Sequence, residues 1–268
     1  MCDLLGFSFD TPLRTRITLD VFQQRGTVNP DGWGVAFYQE GRIQIIKEAE
    51  AAIDSGLFDF MERYPESQTI ITHVRRSTRG GRSYLNTHPF YRLHGIDSNK
   101  REYAFAHNGT LTKQEKLKLG RFIPIGETDS ERAFCHILEV ISKRNIVDWT
   151  HEDFQFVETL LREINNDQNS LNCIFSDGVY LFCYSDENDY NNGLRFIKQS
   201  YPYQEVELAS PEEKLGLIDI QSVSDEKTQS GYIISTRILT KESWTEFDRG
   251  ELIVFKHGEI VYPTARLG

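Results

Sequence analysis

Cys2 stands directly behind the initiator methionine, so removal of Met1 makes it a terminal residue that carries a nucleophile and a base together. A free α-amino group has a pKa of about 7.7 to 8.0. Part of it is neutral near pH 7 and can take the proton from its own thiol. The Cys2 side chain is small, so trimming of Met1 is expected. The competing reading treats Cys2 as a small buried residue opening the strand CDLLGFSF, the ordinary fate of a lone cysteine.

Three further segments carry residue types that suit such a nucleophile. HVRRSTRGGR places Arg75, Arg76, Arg79 and Arg82 close together after an apolar-alternating stretch. Arg75 falls at the end of that stretch, where a planar guanidinium can grip a carboxylate with two parallel hydrogen bonds, which lysine cannot do. A solvated loop or a phosphate patch is the alternative. In AHNGTLT, Asn108-Gly109 reads by default as a tight hairpin turn. It equally supplies a side-chain amide and a backbone N–H that can face one developing negative charge, the paired donors of an oxyanion hole. In IGETDSERAF, Asp129 or Ser130 is expected to cap the helix that follows. An Asp129 not used for capping could hold a substrate ammonium and, with Arg75 on a carboxylate, would suit an amino acid.

The elements that must position these groups follow from periodicity. Strands are expected at residues 2–8, from Trp33 (WGVAFYQ), from Gly41 (GRIQIIK), from Thr69 (TIITHVR) and from Tyr103 (YAFAHNG). Helices are expected at 52–63, at 129–143 and at 152–164, the second spacing Ala133, Phe134, Ile137, Leu138 and Ile141 along one face. LNCIFSD and VYLFCYSD flank a short SDG turn and read as a hairpin, and IISTR and ELIVFKHGEIVY supply later strands. Strands, then helices, then strands cannot be doubly wound. They imply an α+β domain of two antiparallel sheets with helices on the outer faces. The polar stretches 185–193 and 221–230 read as loops, so residues 2–268 are expected to form one domain.

With 268 residues, 39% hydrophobic and 26% charged, the chain can bury a sizeable core. A net charge of −10 argues against a nucleic-acid or anionic-membrane surface, either of which needs a basic face. No apolar run approaches the roughly 20 residues of a membrane span and no leader pattern opens the chain, which points to the cytoplasm. Cys2, Cys135, Cys173 and Cys183 form no CxxC pair and the histidines form no metal-ligand spacing, so reduced thiols and no metal site are expected.

Six pieces in order, MCDLLGF, QRGTVNPDGWG, HVRRSTRG, NTHPF, AHNG and GETDSE, resemble the class II glutamine amidotransferases, N-terminal nucleophile (Ntn) hydrolases whose mature chains begin with cysteine. The matched pieces lie within 2–130, the remainder completing the same sandwich. The resemblance implies a four-layer αββα sandwich of two antiparallel sheets and no cofactor. It implies Cys2 as nucleophile with its amine as base, and Asn108 with Gly109 as oxyanion hole. It further implies Arg75 on the substrate α-carboxylate, Asp129 on the α-ammonium, Thr78 and His88 lining or supporting the pocket, and Arg25 and Gly26 ordering the loop near Cys2. The family usually has an aromatic residue where this chain has Arg76.

The implied substrate is glutamine or another γ-glutamyl compound. Three readings stay open: a glutaminase passing ammonia to a separate synthase or partner subunit, a free-standing hydrolase of γ-glutamyl peptides, amines or thiols, and a non-catalytic amino-acid-binding protein. A homodimer is the default expectation for a soluble oligomer.

Overall fold

The computed structural model describes residues 2–16, 25–61, 66–95, 100–166, 168–202, 219–222 and 228–267. Two antiparallel sheets are packed face to face. The first contains β1 (Asp3–Arg16), β2 (Trp33–Gln39), β3 (Arg42–Glu48), β4 (Glu66–Val74), β9 (Arg195–Ser200), β10 (Asp219–Ser222), β11 (Ser230–Ser235) and β12 (Thr245–Glu246). Its order is β12-β9-β11-β1-β4-β2-β3, with β10 also paired to β1. The second contains β5 (Phe90–His94), β6 (Arg101–Leu111), β7 (Asn169–Ser176), β8 (Tyr180–Tyr184), β13 (Leu252–Lys256) and β14 (Glu259–Tyr262), in the order β14-β13-β8-β7-β6-β5.

Alternation along the strands divides the core into three layers, because successive side chains leave opposite faces of a sheet. Leu4, Ala36 and Ile71 of the first sheet meet Ala104, Ala106, Ile174 and Ile253 of the second between the sheets. Leu5, Phe7 and Phe9 point outward from the first sheet to join Trp33 and Phe58. Phe105, Leu171, Phe175 and Phe182 point outward from the second sheet, beneath α2 (Asp129–Ser142) and α3 (His151–Ile164). The helical cover is therefore uneven. Among the described residues, the outer face of the first sheet carries only short helical pieces: 25–28, the 3₁₀ turn Ala52–Asp54 and α1 (Gly56–Met61).

Local chemistry explains most of the boundaries. β2 turns into β3 through Glu40 and Gly41, both at positive φ, the geometry whose twist suits a two-residue hairpin. At the β7–β8 turn the Asp177 carboxylate accepts the N–H groups of Val179 and Tyr180. Thr150 and Asp153 form a reciprocal capping box at the start of α3. The expected continuous helix at 52–63 is corrected. Extended Ser55 interrupts it, its hydroxyl donating to Glu48 and accepting the N–H of Phe58, and the helix resumes at Gly56. Residues 62 and 63 lie outside the described residues.

β5 and β9 were not expected from periodicity. In RFIKQS two apolar residues sit side by side, so the segment shows no alternation, yet it pairs with β11 along its length. The stretch 185–193 is a loop containing a 3₁₀ turn at Tyr190–Asn192. Of the other expected loop, 221–230, residues 221–222 end β10 and Ser230 opens β11, while 223–227 lie outside the described residues.

Phe105 holds α2 to the second sheet. It is fully buried and stacks on Phe134 with ring centroids 5.1 Å apart. Truncating such a ring leaves a cavity that packing only partly fills, so Phe105→Ala should lower stability by about 3–5 kcal/mol. Urea unfolding followed by far-UV circular dichroism measures it, and a loss below about 1 kcal/mol would contradict the packing described.

Candidate functional site

Cys2 sits at the mouth between the two sheets, one residue before β1. Its Sγ lies 3.1 Å from the backbone N of Arg76 and 3.2 Å from the Arg76 carbonyl, and its own carbonyl accepts the Asn108 side-chain amide at 2.7 Å. The position is held through its neighbour. The buried Asp3 carboxylate takes Arg25 Nε at 2.8 Å and Asn29 Nδ2 at 2.9 Å on one oxygen, and Arg237 Nε at 2.5 Å on the other. Arg25 thus reaches the site through Asp3. Gly26 is placed by clearance, since a Cβ there would come within 2.8 Å of Ile53 N and 2.9 Å of Ala52 N.

Arg75 directly follows β4, with its side chain buried. It donates to the carbonyls of Asp31, Arg79, Gly80 and Gly81 and to the Ser77 hydroxyl, at 3.0–3.4 Å. Among the described residues no carboxylate pairs with it. The strand end is clamped from the PDGW turn: Arg75 N donates to the Gly32 carbonyl at 2.7 Å, and Ser77 N to the Asp31 carboxylate at 2.7 Å. Burial lowers the Arg75 pKa, against the opposing charges of Cys2, Asp31 and Asp129. Thr78 is exposed, its hydroxyl 3.3 Å from that of Thr110.

Asn108 and Gly109 do not form the expected hairpin turn. Both lie inside β6, opposite Asn172 and Leu171 of β7. A partner strand more than sixty residues away overrides the local turn signal of the Asn-Gly pair. Asn108 shares the inter-sheet face with Ala104 and Ala106, as the two-residue period requires. At Gly109 a Cβ would stand 2.0 Å from the Ser170 carbonyl and 2.5 Å from His107 Nε2, so only glycine fits.

The capping expectation at Asp129 or Ser130 is also corrected. Thr128 is the N-cap of α2, its hydroxyl accepting the Glu131 N–H at 3.1 Å. Asp129 is thereby released to face the end of β6, where one carboxylate oxygen accepts Leu111 N at 2.6 Å. Ser130 turns its hydroxyl to His107 Nδ1 at 2.8 Å.

Beneath these groups lies a stack that sequence reasoning recognised only in His88. The rings of His73 and His88 are 4.1 Å apart, and His88 Nδ1 accepts the backbone N–H of His107 at 3.2 Å. All three histidines are buried. Burial depresses each pKa, that of His73 to about 3, with the charge of Arg75 adding to the effect at His73 and His88. Asp3, Asn29, Asn172, Tyr190 and Arg237 were likewise missed. Asn172 donates to the Tyr190 carbonyl at 2.8 Å, bringing the 185–193 loop beside Asn108. Burial raises the Tyr190 pKa, and the Cys2 thiol adds to the shift. Only the polar character of SDENDYNNG hinted at that loop's placement.

Burial also pushes the Cys2 thiol up to about 11, against the lowering effects of the Arg76 hydrogen bond and Arg75. Cys135, Cys173 and Cys183 are buried, unpaired thiols. Among the described residues no cluster of histidine, cysteine or acidic side chains could hold a metal ion, and no helix is long and apolar enough to cross a membrane.

The neutral histidines set an acid limit. Unfolding restores an ordinary pKa near 6.5, whereas the folded values lie below it, so between them the unfolded chain binds more protons. Stability is then fully present above about pH 6.5 and falls as pH drops toward the folded values. Urea midpoints measured from pH 8 to 4 should decline below about 6.5, and His73→Gln should flatten part of that slope. A midpoint as high at pH 4.5 as at pH 7.5 would contradict buried neutral rings.

The sequence profile described as Glutamine amidotransferases class-II matches residues 1–266. An uncharacterized protein of Methanocaldococcus jannaschii is 41% identical over 269 residues, covering 100% of this chain and 72% of that one. YafJ of Escherichia coli, named for the same family, is 31% identical across 97% of this chain and 100% of its own. A solved Pseudomonas aeruginosa structure described as a glutamine amidotransferase superposes with a TM-score of 0.68 at 26% identity, covering 98% of this chain and 100% of that one. The glutamine phosphoribosylpyrophosphate amidotransferase of B. subtilis shares the fold alone, with a TM-score of 0.60 at 13% identity over 97% of this chain and 48% of that one. The two antiparallel sheets are thus of the Ntn-hydrolase type, and the chain belongs to the class II glutamine amidotransferases.

Proposed function

We propose that this protein cleaves the γ-glutamyl amide bond of glutamine or another γ-glutamyl compound, with Cys2 as nucleophile after removal of Met1. The observation that carries the reading is a convergence at one point. The Asn108 amide is bound to the Cys2 carbonyl, the Cys2 thiol meets the backbone N–H of the residue after a buried Arg75 that has no acidic partner among the described residues, and Asp129 bonds to Leu111 at the end of the strand that carries Asn108.

Burial favours the protonated thiol, so its proton has to leave as the sulfur attacks. The freed α-amine of Cys2, ordinarily at about 8, is the base within reach. Sulfur bonds to the γ-carbonyl carbon and the carbonyl oxygen becomes an oxyanion. An amide nitrogen carries two hydrogens. One on Asn108 is held by the Cys2 carbonyl, leaving the other, with the Gly109 N–H, for the oxyanion. The ammonium formed from the Cys2 amine returns its proton to the leaving nitrogen, which departs as ammonia or an amine. Water then splits the γ-glutamyl thioester and releases glutamate. Arg75 exchanges loop carbonyls for the α-carboxylate, a charge-assisted pairing roughly twice as strong as a neutral one, and Asp129 receives the α-ammonium.

Cys2→Ser should reduce ammonia and glutamate release to background, and Asn108→Ala should lower kcat by about a hundredfold or more with little change in KM. Arg75→Lys should act mainly on KM. Undiminished release from Cys2→Ser would sink the nucleophile assignment. Because the base acts in its neutral form, kcat/KM should climb with pH and level off above about 8; a rate falling from pH 6.5 to 8.5 would contradict it. Running glutamine beside a γ-glutamyl peptide distinguishes a glutaminase awaiting an ammonia acceptor from a free-standing γ-glutamyl hydrolase.

A further inference from the structure

Away from Cys2, the edges of the two sheets enclose a cavity of about 430 Å³ between β3 and β5, within the size range of small-molecule sites. Much of its wall is apolar: Ile43 and Ile45 of β3, Tyr84 and Leu85 of the connecting segment, Phe90 of β5, and Ile125 ahead of α2. The rim leaves apolar surface in water, with Ile125 67%, Tyr84 55% and Leu85 50% exposed. Clustered apolar exposure of this kind usually marks a binding surface.

Two cations line it, Lys47 and Arg92, and Arg92 is already paired with Glu131. Lys47 Nζ donates to the carbonyls of Thr87 at 2.6 Å and Pro89 at 3.3 Å, and sits over the rings of Tyr84 and Phe90, 4.8 Å and 5.4 Å from their centroids. Carbonyls and ring faces supply partial charge only. Both acids that line the cavity are committed elsewhere: Glu131 to Arg92 at 2.6 Å and to the Gly126 N–H, Glu102 to the Ile43 N–H and the Tyr91 hydroxyl. Among the described residues Lys47 has no ion-pair partner. An ammonium drawn from water without a counter-charge is costly, and burial lowers the Lys47 pKa to about 8, the charge of Arg92 adding to the effect against Glu131.

We propose that this cavity is a binding site for an amphiphilic organic anion, whose carboxylate, sulfonate or phosphate pairs with Lys47 while its apolar body lies against Ile43, Ile45, Leu85 and Ile125. An ammonium has three donors and two are placed on carbonyls, so the third is free for the anion. The site is independent of the glutamyl chemistry proposed above, although Thr87 and Pro89 flank His88.

The probe is 8-anilinonaphthalene-1-sulfonate, titrated calorimetrically into the full chain beside neutral N-phenyl-1-naphthylamine. One saturable site is expected for the sulfonate, weakened about tenfold or more by Lys47→Met and by Ile125→Asp, the second a rim change that removes little buried packing. The neutral compound should bind more weakly and ignore Lys47→Met. Sulfonate binding that is absent, multiple and unsaturable, or undiminished in both variants would overturn the proposal. If Lys47→Met does not fold, Ile125→Asp and the comparison of charged with neutral probe decide it.

Discussion

The buried carboxylate of Asp3 is the constraint on which the site depends. It joins the start of β1 to Arg25 and Asn29 on one side and to Arg237 on the other. Three segments distant in sequence are thereby locked around one residue, and Cys2 inherits its position from the backbone of that residue. A buried carboxylate is tolerated only when its lone pairs are filled, and here three donors fill them. The arrangement uses electrostatics to specify where a chain end lies, a task hydrophobic burial performs poorly because it has no direction.

A second constraint is clearance. The sheets approach closely enough at the site that side chains are excluded at particular points. A Cβ on Gly34 would lie 2.2 Å from the His88 carbonyl, as one on Gly109 would collide with Ser170. These glycines let β2 and β6 come close to their neighbours, which brings His88 beneath the site and keeps Asn108 on the inter-sheet face. The neutral histidine stack then fills this space with polarizable rings without adding charge. The charges acting on the thiol are then those of Asp3 and Arg75, which oppose one another.

Much of the fold was legible. The strand stretches at Trp33 and Tyr103 and the 3.6-period stretch from 129 appear as β2, β6 and α2, because alternate residues of each strand enter different packed layers and α2 buries one face on the second sheet. The candidate site was legible only as chemistry the residue types could do, in Cys2, Arg75, Asn108 and Asp129. Less visible were the helix break at Ser55, set by a side-chain contact to Glu48 on another strand, and β9, whose adjacent apolar pair shows no alternation until β11 pairs with it.

By itself, then, the sequence determined most local conformations and which residue types could do chemistry, since these follow from short-range periodicity and residue type. Tertiary structure decided what those groups became. Asn108-Gly109 is strand and not turn because β7 lies alongside, and Asp129 is available to the site because Thr128 caps the helix first. Arg237 reaches Asp3 across 234 positions of chain. Such pairings are set by which surfaces meet when two sheets are buried together, and no local window of sequence contains that information.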